Sequence, residues 1–132
     1  MARSDVDYWL DLAKYDLGAA RSMLRAKYRL YVGFLCHLAM EKTLKAYWVH
    51  VNKTTPPRTH ALSILAQRSG ILAELEERDI SVLDFLEPLN IEARYPTEKK
   101  RLLRIMTLSK CRWLLEETQR LHQWISAKLS AK

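Results

Sequence analysis

The sequence predicts an all-α fold, an up-and-down bundle of four main helices with one or two short ones. Three observations predict it. Apolar residues recur at helical spacing along most of the 132 residues, and nowhere does period-two alternation last long enough for a strand. Three Gly and four Pro are too few for a turn-rich β architecture. Connections between the periodic segments are short, which favours antiparallel neighbours. With 48 % hydrophobic and 28 % charged residues, the chain reads as one globular domain, 1–132, large enough to close a core without staples.

The first helix is predicted over 5–26. Val6, Trp9, Leu10, Ala13, Leu17, Ala20, Met23 and Leu24 share one face. Ser4 followed by Asp5 and Asp7 suits its start, where acids meet unpaired backbone N–H groups. The second helix, 31–51, is apolar on two sides. Phe34, Leu35, Leu38, Ala39, Ala46 and Val49 make one face, and Met40, Leu44, Tyr47 and Val51 another. Such a helix is either central in a bundle or shared between a core and a dimer interface. Pro56 and Pro57 end it, because each lacks an amide donor and restricts the residue before it.

A short helix follows over 60–69 and stops near Gly70. Weaker helical pieces are expected over 72–77, 80–87 and 88–95. Residues 96–106 fit either a helix or a packed loop. The last helix runs from about 108 to 129, with Cys111, Leu114, Leu115, Thr118, Leu121, Ile125 and Leu129 facing inward. Trp113 and Trp124 fall together on its opposite side. Exposed Trp is uncommon, so they join Met40, Leu44 and Tyr47 as expected interface residues.

The net charge of +7 is uneven. Residues 61–90 carry two basic and six acidic groups, whereas 91–132 carry ten and four. The basic C-terminal third, with Lys99, Lys100, Arg101 and Arg104 at its front, can steer a nucleotide or RNA or dock an acidic protein. No apolar stretch approaches the ~20 residues that span a bilayer, and the acidic N-terminal residues do not read as a signal peptide. Two Cys give neither a disulfide framework nor a metal cluster, so a cytoplasmic location is expected.

Several polar residues stand in awkward places. Asp16 lies inside the apolar stripe of its helix, where a carboxylate needs a partner. It is either a bond to another helix or the acid of a pocket or interface. His37, Glu41 and Lys45 stand at successive i, i+4 positions, with Trp48 beside them. The ladder is either a surface salt bridge or a partly buried network facing a groove. It supplies two ligands at most, so no metal is expected. His60 opens the third helix and either fastens it or binds a ligand. His122 reads as a core or interface histidine. Arg94 and Tyr95 precede Pro96 and the basic run. Together they can hold a phosphate and a base, or Arg94 can pair with Glu41, Asp16 or a partner's acid. Glycine-rich phosphate loops, GxSxG, HExxH and CxxC patterns are absent, and no cofactor is implied.

The stretches AKYDLGAA (13–20), FLCHLAMEKTLKA (34–46), PRTHAL (57–62) and ARYP (93–96), with Trp124 in the last helix, resemble the HEPN superfamily. These are the "higher eukaryotes and prokaryotes nucleotide-binding" helical domains. The likeness is greatest to the prokaryotic branch encoded beside minimal nucleotidyltransferases. It implies a helical bundle, usually dimeric, acting with a nucleotidyltransferase as half of a two-gene, toxin–antitoxin-like system. The residues it carries over are Asp16, Glu41, Lys45, His60, Arg94 and Tyr95. Nuclease members of the family carry an Arg followed, after four to six residues, by His near the start of the last long helix. In this sequence no Arg precedes any His at that spacing. The implied role is therefore a non-catalytic dimeric partner that helps bind nucleotide or substrate. A metal-independent ribonuclease toxin with an altered site, and a stand-alone RNA- or nucleotide-binding module, are the alternatives.

Overall fold

The computed structural model describes the backbone of residues 3–92 and 96–130 and the side chains of 5–90 and 99–130. The order is α1 (Arg3–Arg25), α2 (Arg29–Asn52), α3 (Leu62–Ser69), a 3-10 turn (Ile71–Glu74), α4 (Glu77–Leu86), α5 (Leu89–Glu92), α6 (Pro96–Ile105) and α7 (Leu108–Ser130). No strand occurs among the described residues, and the all-α bundle is the one the sequence predicts.

Several helix termini have a local cause. Lys27 adopts φ +66°; its N–H donates to Leu24 O while that of Tyr28 donates to Met23 O, so α1 closes in a left-handed cap without glycine. Lys53 does the same after α2, at φ +58°. Gly70, at φ +88°, ends α3. Glu76 and Asp79 form a reciprocal capping box at the start of α4. Of the ambiguous 96–106 segment, Pro96–Ile105 is helical. The Arg29 guanidinium donates to the carbonyls of Leu103 and Met106 at 2.8 and 3.1 Å, and so satisfies the open end of α6.

α2 is the central helix and packs against every other α-helix. It runs alongside α7 in the same direction: Cys111 lies against the Arg29 carbonyl, and Thr43 meets His122. α1 runs opposite to both. The return leg between α2 and α7 is divided into short helices, because Pro56, Pro57, Gly70 and Pro88 interrupt it. Gly33 lets this leg approach closely: a Cβ there would lie 2.9 Å from Met106 Cε and 3.1 Å from Leu89 Cδ1.

This centrality corrects the interface expected on α2. Met40, Leu44 and Tyr47 are 0 %, 1 % and 8 % exposed within the single chain, so that face already has its cover. The Tyr47 hydroxyl also donates to Glu74 in the 3-10 turn, at 3.0 Å. Trp113 is likewise engaged internally. Its ring meets Phe85 edge-on at 5.8 Å, and Lys110 Nζ sits 4.2 Å above it. Trp124 alone of the five stays open, at 38 %, with Lys128 Nζ 4.9 Å from its ring.

Candidate functional site

The i, i+4 ladder on α2 is a buried centre, not a surface bridge. The Glu41 carboxylate accepts from Lys45 Nζ at 2.9 Å through one oxygen and meets His60 Nδ1 at 2.9 Å through the other. Glu41 and Lys45 are both buried, whereas the His60 side chain is 61 % exposed. The pair therefore lies in the interior, with His60 between it and solvent. Lys45 also lies 5.4 Å from the centre of the Trp9 ring on α1. Trp48, expected beside the ladder, donates instead to Thr54 in the following loop, at 3.1 Å.

His37 completes the ladder but not its bonding. Its Nδ1 is 3.8 Å from Glu41 Oε1, beyond hydrogen-bond reach, and neither ring nitrogen has a partner. Burial holds its pKa below the usual 6.5, against the opposing pull of Glu41, so the ring is held neutral in the core.

His60 reaches Glu41 because the double proline turns the chain back over α2. Its position is held by a residue that the sequence does not mark as a cap. Glu87, past the end of α4, accepts from the backbone N–H groups of Leu62 and Ser63 at 2.8 and 2.9 Å and caps α3. Asp16 does have the inter-helix partner it needs: Lys42 Nζ lies 2.7 Å from its carboxylate. Lys42 carries no signal in the sequence, and Glu87 stands out only as an acid that could share a helix edge with Asp84, not as a cap. Lys42 sits one residue beyond Glu41, and only the docking of α1 shows which acid it meets.

His122 is buried, as expected of a core histidine, and contacts Thr43 Oγ1 at 2.8 Å. The basic run lies on α6, with Lys99, Lys100, Arg101 and Arg104 exposed and Leu102 and Met106 turned inward. Arg94 and Tyr95 lie outside the described residues. No group of three or more metal-ligating side chains occurs among the described residues.

A second polar network joins α4 to α7. Arg78 donates to both oxygens of Glu117 at 2.7 Å, and Arg120 bridges Glu117 to Asp79. The Arg78 guanidinium, followed by Arg120, holds the Glu117 carboxyl down at about 2.

Chemically, the Glu41 centre can orient a histidine, hold a lysine and tie three parts of the chain together. Comparison with known proteins bears on the fold and the family. No curated protein matches the chain. The crystal structure of TT1696 from Thermus thermophilus is similar in fold, with a TM-score of 0.74 over 97 % of this chain and 99 % of that one, at 21 % identity. A family model described as the HEPN domain matches residues 6–129, nearly the whole length, and the chain belongs to that family.

Proposed function

We propose that the chain is a non-catalytic, dimer-forming HEPN protein that works beside a minimal nucleotidyltransferase and contributes to binding its nucleotide or substrate. Family membership supports a nucleotide- or RNA-related role. The observation that carries the non-catalytic part is the closure of the Glu41 centre. Both carboxylate oxygens are occupied by groups of the same chain, and Lys45 is buried against them. A general acid or base must reach its substrate within a hydrogen bond, and buried His37 and His122 do not reach the surface.

With one face of α2 closed inside the monomer, the partner surfaces fall elsewhere. Tyr8, Tyr15 and Trp124 are exposed aromatics of the kind that anchor interfaces, and α6 offers positive charge. The test is co-expression of a tagged chain with the nucleotidyltransferase expected beside its gene, followed by mass measurement of the eluted complex. Stable co-elution with a dimer of this chain is the expected result. A lone monomer that retains no nucleotidyltransferase overturns the reading.

One observation favours the ribonuclease alternative. Glu41 holds Nδ1 of His60, so its other ring nitrogen faces outward on an exposed side chain. A carboxylate-oriented histidine is a recurrent acid–base arrangement. Metal-free cleavage of RNA by the pure protein, lost in His60→Ala, would establish that alternative. Absence of cleavage removes it.

A further inference from the structure

α1 carries two seams. Val6, Leu10, Ala13, Leu17 and Ala20 face inward and are buried. Shifted by two residues, about 200° round the helix, Tyr8, Leu12, Tyr15, Ala19, Ser22 and Ala26 form a second row at alternating spacings of four and three. That is the spacing of a helix that packs along its length on another helix. Among the described residues nothing covers this row. Tyr8 and Tyr15 are 59 % and 79 % exposed, Ser22 and Ala26 are exposed, and Leu12 and Ala19 are only half-buried. The Tyr8 ring stands edge-on to Trp9 at 5.6 Å, so it is already held in place before anything meets it.

Two gradients run along the outer row. Side-chain size falls: Tyr8, Leu12 and Tyr15 are large, and Ala19, Ser22 and Ala26 are small. Charge reverses on the flank beside it, from acidic Asp7 and Asp11 in the first half of α1 to basic Arg21 and Arg25 in the second. Asp11 and Arg25 are both exposed. Arg25 donates to Ser22 Oγ at 3.1 Å, so its guanidinium lies against the small end of the row. The Ala26 N–H still donates to the Ser22 carbonyl, which keeps that end helical.

A helix with such gradients matches its own copy run antiparallel. About a two-fold axis level with Leu17, Tyr8 of one copy meets Ala26 of the other, Leu12 meets Ser22, and Tyr15 meets Ala19. Every layer then sets a large residue on a small one. Asp11 of each copy comes within one turn of Arg25 of the other, on the same flank. Parallel pairing sets like on like. It puts Asp11 on Asp11 and Tyr15 on Tyr15, with repulsion on the flank and a gap at the small end.

We propose that the outer row of α1 is the two-fold interface between two copies of this chain, with the two α1 helices antiparallel. This rests on the dimer of the proposed function and names its face. Self-complementarity selects the occupant. A foreign protein requires no match between the two ends of α1, whereas a second copy does.

The test is sedimentation equilibrium of the full chain, without a nucleotidyltransferase. The wild type is expected to dimerise. Tyr15→Glu changes a ring too exposed to hold the fold, and is expected to raise the dimer dissociation constant about tenfold or more. Its circular dichroism spectrum should be unchanged. Asp11→Arg and Arg25→Asp are each expected to weaken the dimer about tenfold. The double variant Asp11→Arg/Arg25→Asp is expected to recover to within about threefold of wild type, because the exchanged charges meet again in the antiparallel pair. A dimer that Tyr15→Glu leaves intact overturns the inference but spares the dimer of the proposed function, which then uses another face. A double variant weaker than either single one overturns the antiparallel arrangement. A wild-type chain that stays monomeric overturns both readings together. Normal dimerisation of Tyr15→Glu, with loss of a co-expressed nucleotidyltransferase, would give the row to that enzyme and overturn the inference alone.

Discussion

His60 Nδ1 lies 2.9 Å from Glu41 Oε1, so the loop after the double proline is bound to the middle of the central helix. Glu41 is thereby shared between an exposed histidine and a buried lysine. The two bonds differ in consequence. Losing His60 opens a solvent-side contact, whereas losing Glu41 strands Lys45 in the core.

Glu41→Ala is expected to destabilise the chain by about 3–5 kcal/mol, the cost of leaving a buried charge without its partner. His60→Ala removes a solvent-exposed contact and is expected to cost under about 1 kcal/mol. Lys45→Met should relieve part of the Glu41→Ala defect when the two are combined, with a coupling above about 1 kcal/mol in a urea double-mutant cycle. Additive losses would show that Glu41 and Lys45 are not energetically paired.

Stability should fall as pH drops below about 6.5. The folded pKa values of both His37 and His122 are depressed, chiefly by burial. The unfolded chain therefore binds more protons on the acid side, and the contribution present above the ordinary value is lost as pH falls through the folded values. Urea midpoints measured from pH 8 to pH 5 should decline, and His37→Phe should flatten the slope. A midpoint independent of pH across that window would contradict neutral burial of these rings.

A separate acid window belongs to Glu117. Its carboxyl titrates at about 2 in the fold, against 4.5 ordinarily, because Arg78 and Arg120 bind its charged form. The stability it supplies is complete above pH 4.5 and disappears as pH falls towards 2. Glu117→Gln should lower stability at neutral pH and show a shallower loss between pH 4.5 and 2. An unchanged acid profile would mean that the α4–α7 network contributes nothing.

The cysteines should be inert in the native protein. Burial raises the Cys36 thiol to about 12 and the Cys111 thiol to about 11, so almost no thiolate exists at pH 8. A thiol-reactive dye is expected to label neither until denaturant is added, and then both. Fast native labelling of either would place it outside the core.

Much of the fold was legible because helices are written locally. The faces of the first and last helices followed from spacing alone, and the end of the third from Gly70; on the second helix Met40, Leu44 and Tyr47 are buried as spacing implies, but Val51, expected on the same face, is exposed because it lies in the last turn of α2. The awkward placement of Asp16 and of the Glu41–Lys45 ladder was legible too, since polarity inside an apolar stripe is a local conflict. The partners were not. Lys42 for Asp16, Trp9 for Lys45 and Glu87 for the α3 N-terminus each lie 24 or more residues away. No periodicity relates them.

The second apolar face of α2 marks the boundary between the two kinds of information. Sequence by itself determined that Met40, Leu44 and Tyr47 must leave water, because burying apolar surface is favourable whatever covers it. Only the tertiary structure decided that the cover comes from this chain and not from a second one. The hydrophobic effect has no direction, so a buried face does not say which surface meets it. The same holds for His122: its place on an inward face was readable, but which ring nitrogen lacks a partner was decided by Thr43 on another helix.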